Sequence, residues 1–241
     1  MQFYRRLMPV QALSFDLDDT LYDNVPVMHR AEQAVRDFVA KEFPQTQTWQ
    51  AADWLAHRQA LMHSEPDLAS NMTLLRLRAL TLGLQQFGVS DCEAQAGAEA
   101  AFAHFMRFRN AVEIPTETHE QLAQLAEYYP LYAISNGNVN VTEIGLGDYF
   151  RGVVQPSATL RGKPFADMFN AAAQQQPQLA PQQWLHVGDS PSADILGAHR
   201  VGWQSAWFTG GLGRTEHLQI LPTLAYHNLA QLTQMLLKSR R

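Results

Sequence analysis

The chain has 241 residues, with 18 Lys plus Arg against 23 Asp plus Glu, and so a formal net charge of −5. Hydrophobic residues make up 46% and charged residues 17%, a globular composition that excludes disorder and collagen-like repeats. The single cysteine, Cys92, excludes an internal disulfide, and no apolar run approaches the roughly 20 residues of a membrane helix. The acidic balance argues against a nucleic-acid partner, which calls for a basic face. The basic pair Arg5-Arg6 leads into an apolar run soon cut by Pro9, Gln11, Ser14 and Asp16, so no signal peptide is expected and the protein is expected in the cytoplasm. The length allows one to two domains.

In chain order, residues 10–16 come first as a short apolar run entering Asp-rich polar sequence. That pattern reads as a buried strand running into a loop. Residues 23–112 behave differently. Helix-like runs at 25–43, 49–64, 72–87 and 92–110 are separated by Pro44, by Glu65-Pro66-Asp67 and by residues 88–91, all with turn chemistry. No strand is evident there, so the region reads as a helical bundle inserted after the first strand. Beyond it, strand-like runs at 131–135, 152–155, 184–188 and 204–208 alternate with helical spacing at 116–129, 163–176, 192–201 and 228–237. Alternation of this kind predicts βαβ units and an α/β fold with a mostly parallel sheet. Residues 238–241 read as a frayed tail.

The run Asp16-Leu17-Asp18-Asp19-Thr20 carries the most chemistry. Carboxylates packed this closely behind a buried strand raise one another's pKa unless a cation neutralises them. Oxygen-rich groups of this type suit Mg²⁺. Alone, the run also reads as a strand followed by an Asx-rich turn. A second apolar strand ends in Gly188-Asp189, with Asp194 five residues on. Ser190 and Pro191 open a helix there, with Ser192 as a candidate N-cap. Asp194 reads either as a carboxylate reaching back to the site or as a dipole-compensating helix charge. Ser135-Asn136-Gly137 ends another strand, where a hydroxyl, an amide and exposed backbone would cradle phosphate oxygens, or simply make a turn. Lys163 precedes Pro164 where a helix is expected to begin. A cation there opposes the macrodipole, which favours a functional role. His186 lies inside a strand and reads as a satisfied core histidine. Phe102, Phe105, Met106 and Phe108 read as core at helical spacing. Arg76 and Arg78, like Arg107 and Arg109, are two apart and do not share a helix face; one of each pair reads either as facing a phosphate or sugar or, the favoured reading, as a solvated or stem-packing residue. Residues 210–213, glycine-rich but without a nucleotide-binding pattern, read as a loop.

These four segments, in this order, resemble the haloacid dehalogenase-like superfamily of phosphotransferases. The resemblance implies a Rossmann-like core, residues 1–22 and 113–241, with an all-helical cap over 23–112. It implies Asp16 as a nucleophile forming an aspartyl-phosphate and Asp18 as the acid/base. It implies Mg²⁺ held by Asp16, Asp189 and the backbone carbonyl of Asp18. Asp194 becomes an outer-sphere metal residue or a partner orienting Lys163. Ser135, Asn136, Gly137 and Lys163 become ligands of the phosphoryl group. Attack on a carbon bearing a halide needs no protonated leaving alcohol, and Asp18 therefore favours phosphate over halide chemistry. Several core segments, among them Ser135-Asn-Gly-Asn138 and residues 145–150, look like a bacterial branch acting on a ribityl-type phosphate of riboflavin biosynthesis or on flavin mononucleotide. The expected partner is thus a small phosphorylated metabolite, with another sugar phosphate or nucleotide as the alternative, and neither nucleic acid nor membrane. A monomer or weak homodimer is expected. Readings of another class are a non-catalytic phospholigand-binding protein and an interaction module.

Overall fold

The computed structural model describes residues 1–215 and 217–238, so the tail expected beyond Lys238 lies outside the described residues. The chain divides into two compact units, Met1–Asp23 with Glu113–Arg241, and Asn24–Val112.

The first unit is α/β. Its seven strands are β1 (Gln2–Phe3), β2 (Ala12–Phe15), β3 (Leu131–Ile134), β4 (Gly152–Val154), β5 (Trp184–Gly188), β6 (Gln204–Phe208) and β7 (Leu224–Tyr226). The sheet order is β1-β7-β6-β5-β2-β3-β4. All neighbours run parallel except β1 against β7. Every residue of β2, β3 and β5 is buried, as expected for parallel strands covered on both faces. Tyr132, Phe169, Trp184 and Trp203 fill one side of the sheet, with the two indoles stacked 4.4 Å apart at 8°.

Strand β2 is flanked by β3 on one side and β5 on the other. The chain therefore leaves β2 in one direction and returns on its other side. A crevice forms at the carboxyl ends of strands where the order reverses in this way. Asp16, Ser135 and Asp189 each follow one of these three strand ends.

Two strands were not anticipated. They are β1 and β7, 2 and 3 residues long, which pair antiparallel with each other at one end of the sheet. The helices of this unit match the apolar periodicity with shifted ends: α5 (Thr116–Ala126), α6 (Asp167–Ala173), α7 (Leu196–Arg200) and α8 (Leu229–Lys238). The largest shift is at α6. Lys163 and Pro164 were expected to open it, but their peptide is cis and the chain turns before the helix begins at Asp167. Lys163 thus does not face a helix dipole. It is buried by ion pairing.

The second unit is four helices, α1 (Val25–Glu42), α2 (Ala51–Ser64), α3 (Met72–Gln86) and α4 (Asp91–Arg109). Val27, Ala31, Val35 and Val39 recur every four residues on α1 and are all buried. On α4 the buried stripe is Ala94, Ala98, Ala101, Phe105 and Arg109, whose small residues let the helices approach closely. Phe108 lies off this stripe and is exposed, correcting its assignment to the core; Phe102 and Met106 pack against the cluster at its margin. Asn71 caps α3 by accepting from Leu74 N at 3.1 Å. Ser90 caps the start of α4, its Oγ accepting from Glu93 N at 3.4 Å and donating to Glu93 Oε2 at 2.7 Å. Arg78 is exposed, Arg76 is half-buried and Arg109 is buried. Among the described residues, no helix is long and apolar enough to cross a membrane.

Candidate active site

The site is built on three adjacent strand ends. Asp16 continues β2, and its N–H still donates to Val187 O at 2.8 Å, so ladder hydrogen bonding holds its backbone. The chain then turns tightly. Asp19 is the only non-glycine with positive φ (60°) among the described residues, a conformation Asp tolerates better than most residues. Asp19 N donates to Tyr22 O at 2.8 Å, and the Tyr22 hydroxyl donates to Asp18 Oδ1 at 2.6 Å. Thr20 Oγ1 reaches Asp189 Oδ1 at 3.3 Å.

Carboxylate oxygens of Asp16, Asp189 and Asp194 all lie within 4.8 Å of one another, and all three residues are buried. Lys163 joins them. Its Nζ donates to Asp16 Oδ1 at 2.8 Å and to Asp194 Oδ1 at 2.6 Å, with only 1% of its side chain exposed. Asp18, expected to meet the metal through its backbone carbonyl, has its carboxylate outside this group and bonded to Tyr22.

Three buried carboxylates against one ammonium leave a surplus of negative charge. Burial raises the Asp16 carboxyl far above its ordinary value, Asp194 adds to the rise, and Lys163 pulls against both. Burial likewise lifts Asp189 to about 6. Asp194 goes the other way. Burial opposes its ionisation, but Lys163 and His186 outweigh it and hold the carboxyl well below the usual range. The difference lies in partners. Asp194 accepts from Lys163 Nζ, from His186 Nε2 at 3.0 Å and from Ser190 N at 2.9 Å. For Lys163, burial works against the charge, yet Asp16 and Asp194 prevail and raise its pKa. A hard divalent cation fits this arrangement, since its donors are carboxylate oxygens carrying more charge than the lysine cancels.

Several supports of the site escaped the sequence reading. His186 is a satisfied core histidine, but its partners are Ser14 Oγ at 2.8 Å and Asp194, so it braces the site. The residues at 188–194 also differ from expectation. Ser190, not Ser192, is the N-cap, accepting from Ala193 N at 3.1 Å, because the helical turn starts at Pro191. A Cβ on Gly188 would lie 2.2 Å from Asp194 Cγ, so the glycine makes room for that carboxylate. The loop at 210–213 packs on Asp189, and Gly213 N donates to its Oδ2 at 3.1 Å. Trp207 Nε1 donates to Asp189 O at 2.8 Å.

Ser135 is buried, and its Oγ accepts from Gly137 N at 3.1 Å. The Asn136 side chain is turned elsewhere. Its amide donates to Lys163 O at 2.8 Å and accepts from Lys163 N at 2.7 Å. The amide expected to hold phosphate instead clamps the lysine's backbone.

This order of strand-end residues agrees with a profile described as haloacid dehalogenase-like hydrolase, which matches residues 10–202. The chain belongs to the haloacid dehalogenase-like hydrolase family. This hydrolase is 40% identical over 239 residues to the 5-amino-6-(5-phospho-D-ribitylamino)uracil phosphatase YigB of Escherichia coli K12, covering 98% of this chain and 100% of the relative. A crystal structure of a 2-haloacid dehalogenase from Pseudomonas syringae superposes with a TM-score of 0.85 at 32% identity, over 96% of this chain and 100% of that one. The HAD-hydrolase YfnB of Bacillus subtilis superposes with a TM-score of 0.66 at 20% identity, over 95% of this chain and 99% of that one, and shares the fold.

Proposed function

We propose that this hydrolase is a phosphomonoesterase in which Asp16 attacks the phosphoryl group. The observation that carries the reading is the pairing of Lys163 with Asp16 at 2.8 Å on a strand end, with Asp18 two residues on. Lys163 fixes the Asp16 carboxylate and offsets the repulsion it meets from an anionic phosphate. Asp16 forms a bond to phosphorus as the bond to the alcohol oxygen breaks. Asp18, as general acid, delivers a proton to that oxygen. It then takes a proton from the water that hydrolyses the aspartyl-phosphate. The Tyr22 hydroxyl orients Asp18. The Ser135 hydroxyl and the backbone of Asn136 and Gly137 hold phosphoryl oxygens. When bound by Asp16, Asp189 and the Asp18 carbonyl, with Asp194 behind them, Mg²⁺ supplies charge neutralisation for this transfer.

In this reading the helical unit at 23–112 is the cap that sets substrate choice, inserted in the sequence of a core formed by 1–22 and 113–241. The 40% identical relative, a 5-amino-6-(5-phospho-D-ribitylamino)uracil phosphatase, supports that compound as the substrate. Flavin mononucleotide is our second candidate, and turnover in the cytoplasm is part of the same proposal. The structural relative at 32% identity is a dehalogenase, and Asp18 separates the two chemistries because a halide leaves without a proton. The deciding experiment is a release assay with Mg²⁺ over phosphorylated metabolites and 2-haloacids. Phosphate release, highest in kcat/KM for the ribitylaminouracil phosphate, is expected. Preferred turnover of a sugar phosphate or nucleotide would move the substrate. Halide release alone, or binding without turnover, would overturn the reading.

A further inference from the structure

The helical unit holds a charged cluster that the proposed reaction leaves unused. Glu32 on α1 meets Arg58 on α2 and Arg76 on α3. Arg58 Nη1 and Arg76 Nη2 donate to the same oxygen, Glu32 Oε1, at 2.9 and 2.8 Å. Neither guanidinium forms the two-bond fork with the carboxylate, so each keeps N–H donors to spare. Arg76 is only 12% exposed in its side chain, and its guanidinium carbon sits 3.8 Å from the centre of the Phe105 ring. One carboxylate therefore faces two guanidiniums in a setting where an uncompensated charge is costly. The two bonds tie α1 to α2 and to α3, and the trio still carries one positive charge beyond what Glu32 cancels.

A cavity of about 40 Å³ lies against this cluster. Glu32, Arg36, Arg58 and Arg76 form its polar side, and Trp54 and Leu80 part of its apolar side. Arg36 adds a third guanidinium, whose bond goes to the neutral Gln33 Oε1 at 2.7 Å. The lining thus carries three positive charges and one negative. Arg58 and Glu32 keep 29% and 25% of their side chains exposed, so the cavity is reachable from solvent. Burial and the Arg58 charge both weaken the hold of Arg76 on its proton, while Glu32 opposes them.

We propose that this cavity binds a small oxyanion of the phosphate or carboxylate class. Two guanidiniums with unused forks match paired oxygens, and the apolar wall limits water around them. The site lies wholly within Asn24–Val112 and is separate from the carboxylate group on the strand ends. The inference does not depend on the phosphatase reading.

The test is calorimetric titration of the full chain with inorganic phosphate, in EDTA at fixed ionic strength. Without a divalent cation the strand-end carboxylates repel phosphate, so binding reports on the helical unit. Saturable binding by the wild type is expected, weakened at least about tenfold in Arg58→Gln. Arg58→Lys keeps the charge but not the fork and should fall between them. Where Arg58→Gln fails to fold, Arg36→Gln, whose guanidinium bonds among the described residues only to Gln33 on its own helix, carries the same expectation. No binding by the wild type, or equal binding by the arginine variants, would overturn the inference. Metal-dependent phosphate release, measured separately, bears only on the strand-end site.

Discussion

At the residue scale, Asp16, Asp194 and Lys163 form one electrostatic unit. A single buried ammonium serves two carboxylates, and the better-bonded Asp194 takes the larger share. Asp16 is left hard to ionise, which a structural ion pair would gain nothing from and a nucleophile awaiting a cation tolerates. Asp16→Asn keeps the shape, removes the burial cost and leaves Lys163 paired to Asp194. Phosphate release should fall by about 10⁴-fold or more, with the thermal midpoint held or raised. Retention of a sizeable part of turnover would remove Asp16 from the nucleophilic role. Asn136 tests positioning. Asn136→Ala frees the backbone of Lys163 and should lower kcat by roughly 10²-fold without changing the far-UV circular dichroism spectrum. The carboxylates were legible in the sequence because like charges behind a strand demand an explanation. The work of Asn136 was not, because its partner lies 27 residues away and is backbone, which any residue could supply.

At the element scale, apolar periodicity marked all four helices of α1–α4 and strands β2–β6 to within a few residues. It failed where packing rather than period decides, at β1 and β7 and at the start of α6. The loop at 210–213 illustrates the same limit. Its glycines read as a turn, yet a Cβ on Gly213 would lie 2.2 Å from Asp189 O. Gly213→Ala should therefore displace Asp189 and weaken apparent Mg²⁺ affinity about tenfold, read from the metal dependence of turnover. In the helical unit, Arg76 and Arg58 together outweigh burial and hold Glu32 at about 2, against 4.5 in the unfolded chain. A lowered folded pKa adds stability above pH 4.5 that is lost as pH falls towards 2. Its full size is on the order of 3 kcal/mol. Urea unfolding should show this acid loss in the wild type, and Glu32→Gln should flatten it. An unchanged slope in the variant would mean that the arginines do not hold Glu32 ionised.

At the scale of the whole molecule, the net charge of −5 takes on a local meaning. Part of the acidic excess is gathered at three strand ends, where a negative protein is to receive a negative substrate. Metal binding, protonation and stability are then linked. Asp189 has a folded pKa near 6 against 3.8 in the unfolded chain, so the folded protein binds the proton more tightly. From this group, the metal-free protein loses stability as pH rises from about 4 through 6, and Asp16 extends the loss upwards. Mg²⁺ competes for the same oxygens, so its apparent affinity should rise with pH. Asp189 alone predicts about a tenfold gain between pH 5 and pH 7. Saturating Mg²⁺, at a hundred times its dissociation constant, should stabilise the fold by about 2.7 kcal/mol. That corresponds to a rise of roughly 5–10 °C in the thermal midpoint at pH 7, shrinking towards pH 5. Thermal denaturation with Mg²⁺ and with EDTA across this range measures both effects. Asp189→Asn should abolish the rise at every pH. A rise that survives in that variant, or one that grows towards acid pH, would place the cation elsewhere on the molecule.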